Sequence, residues 1–142
     1  MSLVGPRPNV IKETNLYTKN EQEILKVQPG VTDIASIVFS DEGEILKDSN
    51  DPDIDYNQLI RPRKSKLAIF YKEKRSLTFD ISLILITIIA IINKKKATNI
   101  LLRVLRMKKA KDEILEIVRR EKPLTPIPPP GSDMIVTTRD LN

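Results

Sequence analysis

The residues of this 142-residue sequence with the most specific chemistry stand at its start, in the segment Gly5-Pro6-Arg7-Pro8. Each proline fixes its own backbone angle and pushes the residue before it toward extended geometry. Arg7 is therefore held between two stiff residues, and its planar guanidinium can bind two phosphate oxygens at once. The tetrapeptide alone leaves two interpretations open. One is a phosphate-binding loop formed by Pro6, Arg7 and Pro8; the other, the commoner case, is a turn whose arginine is solvated.

Composition narrows the chemistry that the chain can perform. The sequence has no cysteine and no histidine, so disulfides, thiolate metal sites and the commonest general base near neutral pH are all excluded. Any catalysis would have to use carboxylates, lysine, tyrosine or serine. The length suits one domain with a core of moderate size.

The charged residues are sorted into blocks along the chain. Residues 41–55 contain seven acidic residues and one lysine, a net charge of −6. The net charge is +6 over residues 61–75 and +7 over residues 94–122. Such sorting predicts a polyanionic partner, with nucleic acid, phospholipid and a phosphorylated ligand as the candidates.

The hydrophobic pattern predicts an α+β fold that is mostly helical. We expect two short helical pieces between residues 10 and 27, and a small strand over residues 31–39, which are rich in β-branched side chains. The acidic residues 40–58 are predicted to form a surface loop, and a helix is predicted over residues 62–73.

The most apolar stretch, residues 76–92, has only Ser82 and Thr87 as polar residues after Ile81. Its most apolar part, residues 81–92, would span about 18 Å as a helix, which is shorter than the ~30 Å hydrocarbon core of a bilayer. This is therefore not a transmembrane helix. The local pattern leaves a helix and a buried strand both open.

Residues 94–122 have apolar side chains at helical spacing among many lysines and arginines, which predicts one basic amphipathic helix ended by Pro123. Such a helix could lie in a membrane interface, pack on a soluble core or bind nucleic acid. The stretch contains no aromatic residue, which disfavours nucleic acid. The Pro-rich residues 123–142 are expected to be extended or disordered.

Taken in order, these segments resemble the bacterial sugar transferases, the monotopic phosphoglycosyl transferases that begin polysaccharide and glycoconjugate assembly. "MSLVGPRP" at 1–8 resembles the hallmark loop of that family. "LYTKNEQEILKVQPGVTDIAS" at 16–36 resembles its helix and Pro-Gly-(Ile/Val)-Thr segment, and "KLAIFYKEKRSLTFDISLILITI" at 66–88 continues the match. The resemblance covers residues 1–93; residues 94–122 and 123–142 lie outside the common pattern.

The resemblance implies an enzyme at the cytoplasmic face of the bacterial inner membrane. It would transfer a sugar-1-phosphate from a nucleoside-diphosphate sugar to polyprenyl phosphate, with an Asp-Glu dyad and Mg²⁺ as its catalytic groups. Arg7 would lie near the nucleotide sugar. Anionic membrane lipid is an expected partner, nucleic acid is not, and a homodimer is a candidate assembly. The apolar helix would lie at the headgroup level, with Phe79, Ile84, Leu85, Ile88, Ile91 and Ile92 as its membrane-interface residues.

The dyad of the family precedes its hallmark loop, whereas Met1 matches a methionine that is internal in full-length relatives. The resemblance therefore implies a truncated domain, the C-terminal portion of a longer enzyme, inactive by itself. Asp41-Glu42 is an Asp-Glu pair in a different context, so we do not assign it the catalytic role. The main alternative is a non-catalytic peripheral membrane-binding module or gene remnant, and a nucleic-acid binder is a weaker one. The sequence does not define the sugar, the nucleotide or the glycan pathway.

Overall fold

The computed structural model describes residues 2–5, 18–26, 30–120, 124–131 and 134–135. Within these ranges the fold is mostly helical, as predicted, and contains one two-stranded parallel sheet. Its strands are β1 (Ser2–Val4) and β2 (Gly30–Thr32), with Ser2 opposite Gly30 and Val4 opposite Thr32.

The helices follow one another with short connections. The first five are α1 (Lys19–Gln22, continued by a 3₁₀ turn over Glu23–Lys26), α2 (Ile34–Val38), α3 (Glu42–Leu46), α4 (Pro52–Asp55, continued by a π-helical stretch over Tyr56–Ile60) and α5 (Arg61–Lys74). The last three are α6 (Leu77–Ile92), α7 (Lys94–Met107) and α8 (Asp112–Arg119). The helix predicted over residues 62–73 is confirmed as α5.

The strand predicted over residues 31–39 is wrong beyond Thr32. Asp33 ends it, because its side chain accepts a hydrogen bond from the backbone N–H of Ser36 at 2.8 Å and so caps α2. The β-branched residues that suggested a strand are buried on this short helix instead. Tertiary burial and the cap outweigh the local preference of these residues.

The acidic residues 40–58, predicted to be a surface loop, contain α3, α4 and most of the π-helical stretch. Acidic side chains in the first turn of a helix interact favourably with its N-terminal dipole, and α3 has Glu42 and Glu44 there. Asp51 precedes Pro52, the first residue of α4, and accepts a hydrogen bond from the N–H of Ile54 at 3.4 Å. The Asp-Pro pair is thus a helix start.

The apolar stretch 76–92, for which helix and strand were both open, is the helix α6. Ser76 caps its start, where its Oγ accepts from the N–H of Phe79 at 3.1 Å. Asn93 ends α6 and caps α7, with its Oδ1 accepting from the N–H of Lys96 at 3.1 Å. The two helices pack against each other as a hairpin. No helix within the described ranges combines the length and the apolar character that crossing a membrane requires.

The single basic helix predicted over residues 94–122 is two helices, α7 and α8. After Lys108 the chain turns through Lys109, whose φ of 61° is left-handed. The N–H of Ala110 donates to the carbonyl of Leu105 at 3.0 Å, and that of Lys109 donates to the carbonyl of Arg106 at 3.0 Å. This is the Schellman arrangement that ends a helix. Glycine normally occupies the left-handed position that follows a helix. Because Lys109 is there instead, the sequence does not indicate that the helix ends.

One hydrophobic core is shared by β1 and the helices α2, α5, α6, α7 and α8. Helices α7 and α8 therefore share this core with β1, α2, α5 and α6. Three helices contribute side chains to this core that are 0% exposed: Leu67, Phe79, Leu83, Leu101 and Leu105.

Residues 124–129 form neither helix nor strand, in keeping with an extended tail. The N–H of Ile127 donates to the carbonyl of Gln58 at 3.1 Å, and the Thr18 hydroxyl donates to the carbonyl of Pro130. The described part of the tail is thus attached to α1 and to the stretch before α5. The rest of the region predicted to be extended or disordered lies outside the described residues.

Candidate functional site

The two parallel strands bring the start of the Gly-Pro-Arg-Pro segment against residues 30–32. The N–H of Gly5 donates to the carbonyl of Thr32 at 3.0 Å. Gly30 has no room for a side chain, because a Cβ there would lie 2.2 Å from the Gly5 nitrogen and 2.4 Å from the carbonyl carbon of Val4. Pro6, Arg7 and Pro8 lie outside the described residues, so phosphate binding by them stays a prediction.

Replacing Gly30 with alanine should separate β1 from β2. The new Cβ would meet backbone atoms, which cannot swing away, so we expect a loss of about 3 kcal/mol in the free energy of unfolding, at the upper end of the range for overpacking. Urea denaturation measures it.

Gly43→Ala is the matched control, because a Cβ at Gly43 meets nothing within 4 Å. Gly43 lies in α3, so this change should stabilise the chain by about 0.5–1 kcal/mol through helix preference. Equal effects of the two variants would contradict the close approach at Gly30.

Polar side chains connect β2 to the apolar helix. The hydroxyls of Thr32 and Thr87 lie 2.9 Å apart, and the Thr87 hydroxyl donates to the carbonyl of Leu83 at 2.7 Å. Since a hydroxyl has one proton, Thr32 is the donor to Thr87. Asp33, buried next to Thr32, also accepts from the Ser36 hydroxyl at 2.6 Å. The Thr32–Thr87 contact thus joins β2 to α6, and the Asp33 cap begins α2 directly after β2, beside the start of the Gly-Pro-Arg-Pro segment.

Tyr71 and Asp80 connect α5 to the first turn of α6. The Tyr71 hydroxyl donates to Asp80 Oδ1 at 2.7 Å. Burial raises the pKa of Tyr71, and the hydrogen bond to Asp80 and the negative charges of Asp80 and Asp33 raise it further. The Tyr71 hydroxyl therefore stays protonated, and remains a hydrogen-bond donor, at pH values above its ordinary pKa of 10.0.

Alkaline pH should destabilise the chain through Tyr71. The pKa of this hydroxyl is higher in the folded than in the unfolded state, so its contribution is complete below pH 10.0 and is lost as pH rises above it. The loss approaches about 1.4 kcal/mol per pH unit. Urea denaturation between pH 9 and pH 11.5 should show a steeper decline for the wild type than for Tyr71→Phe. Parallel curves would contradict the buried, protonated hydroxyl.

A buried charge network joins α1 to α5, and the sequence analysis did not identify it. Arg61 donates to both carboxylate oxygens of Glu21, from Nε at 3.2 Å and from a terminal nitrogen at 2.6 Å, and it also donates to Asn57 Oδ1 at 3.2 Å. The Ser65 hydroxyl donates to the same carboxylate. Glu21 and Arg61 are 0% and 2% exposed.

A sequence signal for Glu21 did exist in Thr18-Lys19-Asn20-Glu21, which has the capping-box pattern. The N–H of Glu21 donates to the Thr18 hydroxyl at 3.2 Å, and the N–H of Thr18 donates to Glu21 Oε1 at 3.3 Å. The pattern locates the start of a helix. It does not reveal the arginine 40 residues away that shares the carboxylate.

The Asp41-Glu42 pair is occupied by structural ion pairs. Asp41 Oδ1 lies 2.5 Å from a terminal nitrogen of Arg120 and 3.5 Å from Lys94 Nζ, and Glu42 lies 2.7 Å from Lys64 Nζ. Burial raises the pKa of Asp41, but the hydrogen bond from Arg120 and the charges of Arg120 and Lys94 outweigh it, so the pKa lies below 3.8. These contacts join α3 to α5 and to the ends of α7 and α8.

The helix α6 presents a stripe of exposed apolar side chains, which we call the α6 stripe: Leu77, Ile81, Leu85, Ile88, Ile91 and Ile92. Positions four, eight, eleven and fifteen residues after Leu77 lie on one helical face. Ile91 and Ile92 are 83% and 84% exposed. The stripe includes four of the predicted membrane-interface residues, and Ile84 is half-buried beside it.

Phe79 does not belong to this face, and its prediction as an interface residue needs correction. It lies on the opposite side of α6, fully buried, with its ring centroid 6.5 Å from that of Phe70 and 5.8 Å from that of Tyr71. Both sides of the helix are apolar in sequence, so periodicity did not indicate which one faces the core. Leu77 and Ile81, which were not predicted, are exposed in its place.

The chain belongs to the bacterial sugar transferase family, whose sequence model matches residues 1–94. The match confirms the resemblance stated from the sequence. It includes both strands, the Glu21–Arg61 network and the α6 stripe, and it ends at the first residue of α7. No curated protein and no solved structure gave a match. The family is membrane-associated in general.

Proposed function

We propose that the chain is part of an enzyme that transfers a sugar-1-phosphate from a nucleoside-diphosphate sugar to polyprenyl phosphate. The reaction would release a nucleoside monophosphate and begin polysaccharide or glycoconjugate synthesis at the cytoplasmic face of the bacterial inner membrane. The observation that carries the proposal is the family match over residues 1–94. The strand pair supports it, because it holds the first residue of the Gly-Pro-Arg-Pro segment against β2.

In this proposal Arg7 binds the phosphates of the nucleotide sugar, and Pro6 and Pro8 limit its backbone freedom. A guanidinium that is already oriented loses less entropy when it binds an anion. In this proposal Mg²⁺ is the cofactor that acts with the Asp-Glu dyad of the family. Among the described residues, no group of three or more metal-ligating side chains lies together. We therefore derive no step through a metal.

Residues 1–142 by themselves should bind nucleotide sugar without turning it over. The test is a panel of UDP-sugars with polyprenyl phosphate and Mg²⁺, with UMP release and thermal stability as readouts. A ligand at a hundred times its Kd stabilises by about 2.7 kcal/mol. Arg7→Gln should abolish this stabilisation, and Arg103→Gln, a change at an exposed arginine of α7, should leave it intact.

The outcomes separate the parts of the proposal. UMP release would overturn the expected inactivity while supporting the enzyme class. Stabilisation by no member of the panel, or equal loss in both arginine variants, would overturn the assignment of Arg7.

A second candidate function, non-catalytic binding to a membrane surface, is favoured by the α6 stripe and the charge of α7. This helix, packed against α6, exposes Lys95, Lys96, Arg103 and Arg106. Apolar side chains could enter the boundary between headgroups and acyl chains while each nearby base adds about 1 kcal/mol at an anionic surface. Binding should therefore weaken as salt is raised.

Flotation with anionic vesicles tests the surface. Fully burying one isoleucine contributes at least about 1.5 kcal/mol, so Ile91→Ser with Ile92→Ser should weaken binding about a hundredfold. The control is Met134→Ser with Ile135→Ser, because these side chains are exposed and apolar but lie outside the α6–α7 hairpin. Equal losses in both would contradict the α6 stripe. The candidate homodimer is tested by measuring the mass of the wild type and of the same variants in solution by sedimentation.

A further inference from the structure

A groove of about 780 Å³ lies between α5, α8 and the segment 124–127. Its size lies within the usual range for small-molecule sites. Its walls combine cationic and apolar side chains with two acids: Arg63, Lys66, Glu113, Glu116, Ile117, Arg119, Arg120, Leu124, Thr125 and Ile127. These side chains give the groove a net charge of +2.

The cations of the groove are incompletely neutralised by the described part of the chain. Lys66 pairs with Glu113, and Arg120 pairs with Asp41. Arg63 is half-buried, and the hydrogen bond found for it is to the backbone carbonyl of Leu59, at 2.6 Å. Burial lowers the pKa of Arg63, and the nearby positive charge of Arg120 lowers it further. Two arginines thus repel each other at a site where desolvation already disfavours charge.

A second observation comes from Arg120 at the end of α8. Its backbone is left-handed, with φ 50°, and one terminal nitrogen contacts the carbonyl of Val38 at 3.3 Å as well as Asp41. Its Nε is buried and has no hydrogen-bond partner among the described residues. A buried donor without a partner is costly, and Arg120, which has one, also lines the groove.

We propose that this groove binds a phosphate ester, with Arg63, Arg119 and Arg120 as the phosphate ligands and Ile117, Leu124 and Ile127 against the organic part. One guanidinium group can donate to two phosphate oxygens at once, and a phosphate dianion would offset the net charge of +2 in the groove. The site goes beyond the proposed transferase function, because α8 and the segment 124–127 lie outside the family match. Residues 124–127, from the tail that was expected to be extended or disordered, form its third wall.

The test is calorimetric titration of the 142-residue chain, without nucleotide sugar, with three probes at matched ionic strength. The probes are inorganic phosphate, pyrophosphate and dihexanoyl phosphatidic acid as a soluble monomer. Arg63→Gln should weaken binding of the tightest probe about tenfold or more, because it removes a charged ligand whose observed bond is to one backbone carbonyl. Arg103→Gln, at an exposed arginine outside the groove, should change it less than about twofold.

A third variant tests the sign of the charge effect. Glu116→Gln removes a negative charge from the wall and should tighten binding about threefold, the size of an exposed charge interaction. If Arg63→Gln unfolds the chain, Arg119→Gln takes its place, since Arg119 is the last residue of α8 and also lines the groove.

The probes also distinguish the source of the phosphate. Tighter binding of pyrophosphate or phosphate indicates a soluble ligand, and tighter binding of the short-chain lipid indicates a headgroup whose acyl chains meet the apolar wall. The proposal is overturned if no probe binds, or if Arg63→Gln and Arg103→Gln weaken binding equally. None of these outcomes depends on Arg7 or on UMP release, so this proposal and the proposed function can fail separately.

Discussion

Replacing Glu21 with glutamine is expected to cost about 3–5 kcal/mol in the free energy of unfolding, because it leaves the buried guanidinium of Arg61 without its counter-charge. Both groups are almost fully buried, and the carboxylate accepts from two nitrogens of Arg61 and from the Ser65 hydroxyl. A neutral amide keeps the shape of the side chain but presents an N–H₂ group where an acceptor is needed. Since a domain has only about 5–15 kcal/mol of stability, this loss could unfold much of the chain.

The matched control is Glu23→Gln, two residues away. Glu23 pairs with Lys72 of α5 at 2.5 Å, so the same two elements are joined, but the two side chains are 42% and 31% exposed. Solvent screening limits such a pair to about 1 kcal/mol or less. Urea denaturation of both variants decides between a buried and an exposed pair. Equal losses would contradict the buried network.

A double variant separates the charge effect from simple loss of contacts. Arg61→Met removes the cation and fills most of its volume, and combining it with Glu21→Gln removes both charges. A buried pair replaced as a unit is often close to neutral, so the double variant should be more stable than either single variant. Strictly additive losses would show that the two charges are not coupled.

Phe79→Ala is expected to cost about 3–5 kcal/mol, the usual range for removing a large aromatic side chain from a core. Phe79 is 0% exposed, and its ring meets that of Phe70 nearly edge-on, at 85°. The Nζ of Lys108, the residue that follows α7, lies 5.3 Å from the centroid of the Phe79 ring. The substitution leaves a cavity between α5, α6 and α7, which the surrounding helices can close only in part.

Ile91→Ala on the same helix is the control for Phe79. Its side chain is 83% exposed, so truncating it should change the unfolding free energy by less than about 0.5 kcal/mol. The same change should weaken vesicle binding, whereas a folded Phe79→Ala should not. A small effect of Phe79→Ala on unfolding together with a large effect on vesicle binding would mean that Phe79 faces outward, as the sequence analysis expected.

Much of the helical content was predictable because its signals are local. The helix α5 has Pro62 in its first turn and extended backbone at Arg75, which ends it, and both its bounds were predicted within one residue. The family assignment was also accessible, since it depends on ordered short motifs rather than on packing.

The errors occur where a local pattern permits two structures. Residues 33–38 suit a strand by composition, and only the Asp33 cap and their burial make them a helix. The turn after α7 depends on a left-handed lysine, Lys109, a conformation that costs about 1–2 kcal/mol, and Ala110 beside it packs against the core. A lysine at that position does not indicate in the sequence that one helix ends and another begins.

By itself the sequence determined the family, the helical character of the chain, the apolar nature of residues 77–92 and the exclusion of histidine and cysteine chemistry. These follow from composition and from interactions within a few residues. Only the tertiary structure decided which side of α6 is buried, that Glu21 meets Arg61 across 40 residues, and that α8 and the tail meet α5 to form a basic groove. The reason is physical: burial and long-range ion pairing depend on which elements pack together, and that information does not reside in any single segment.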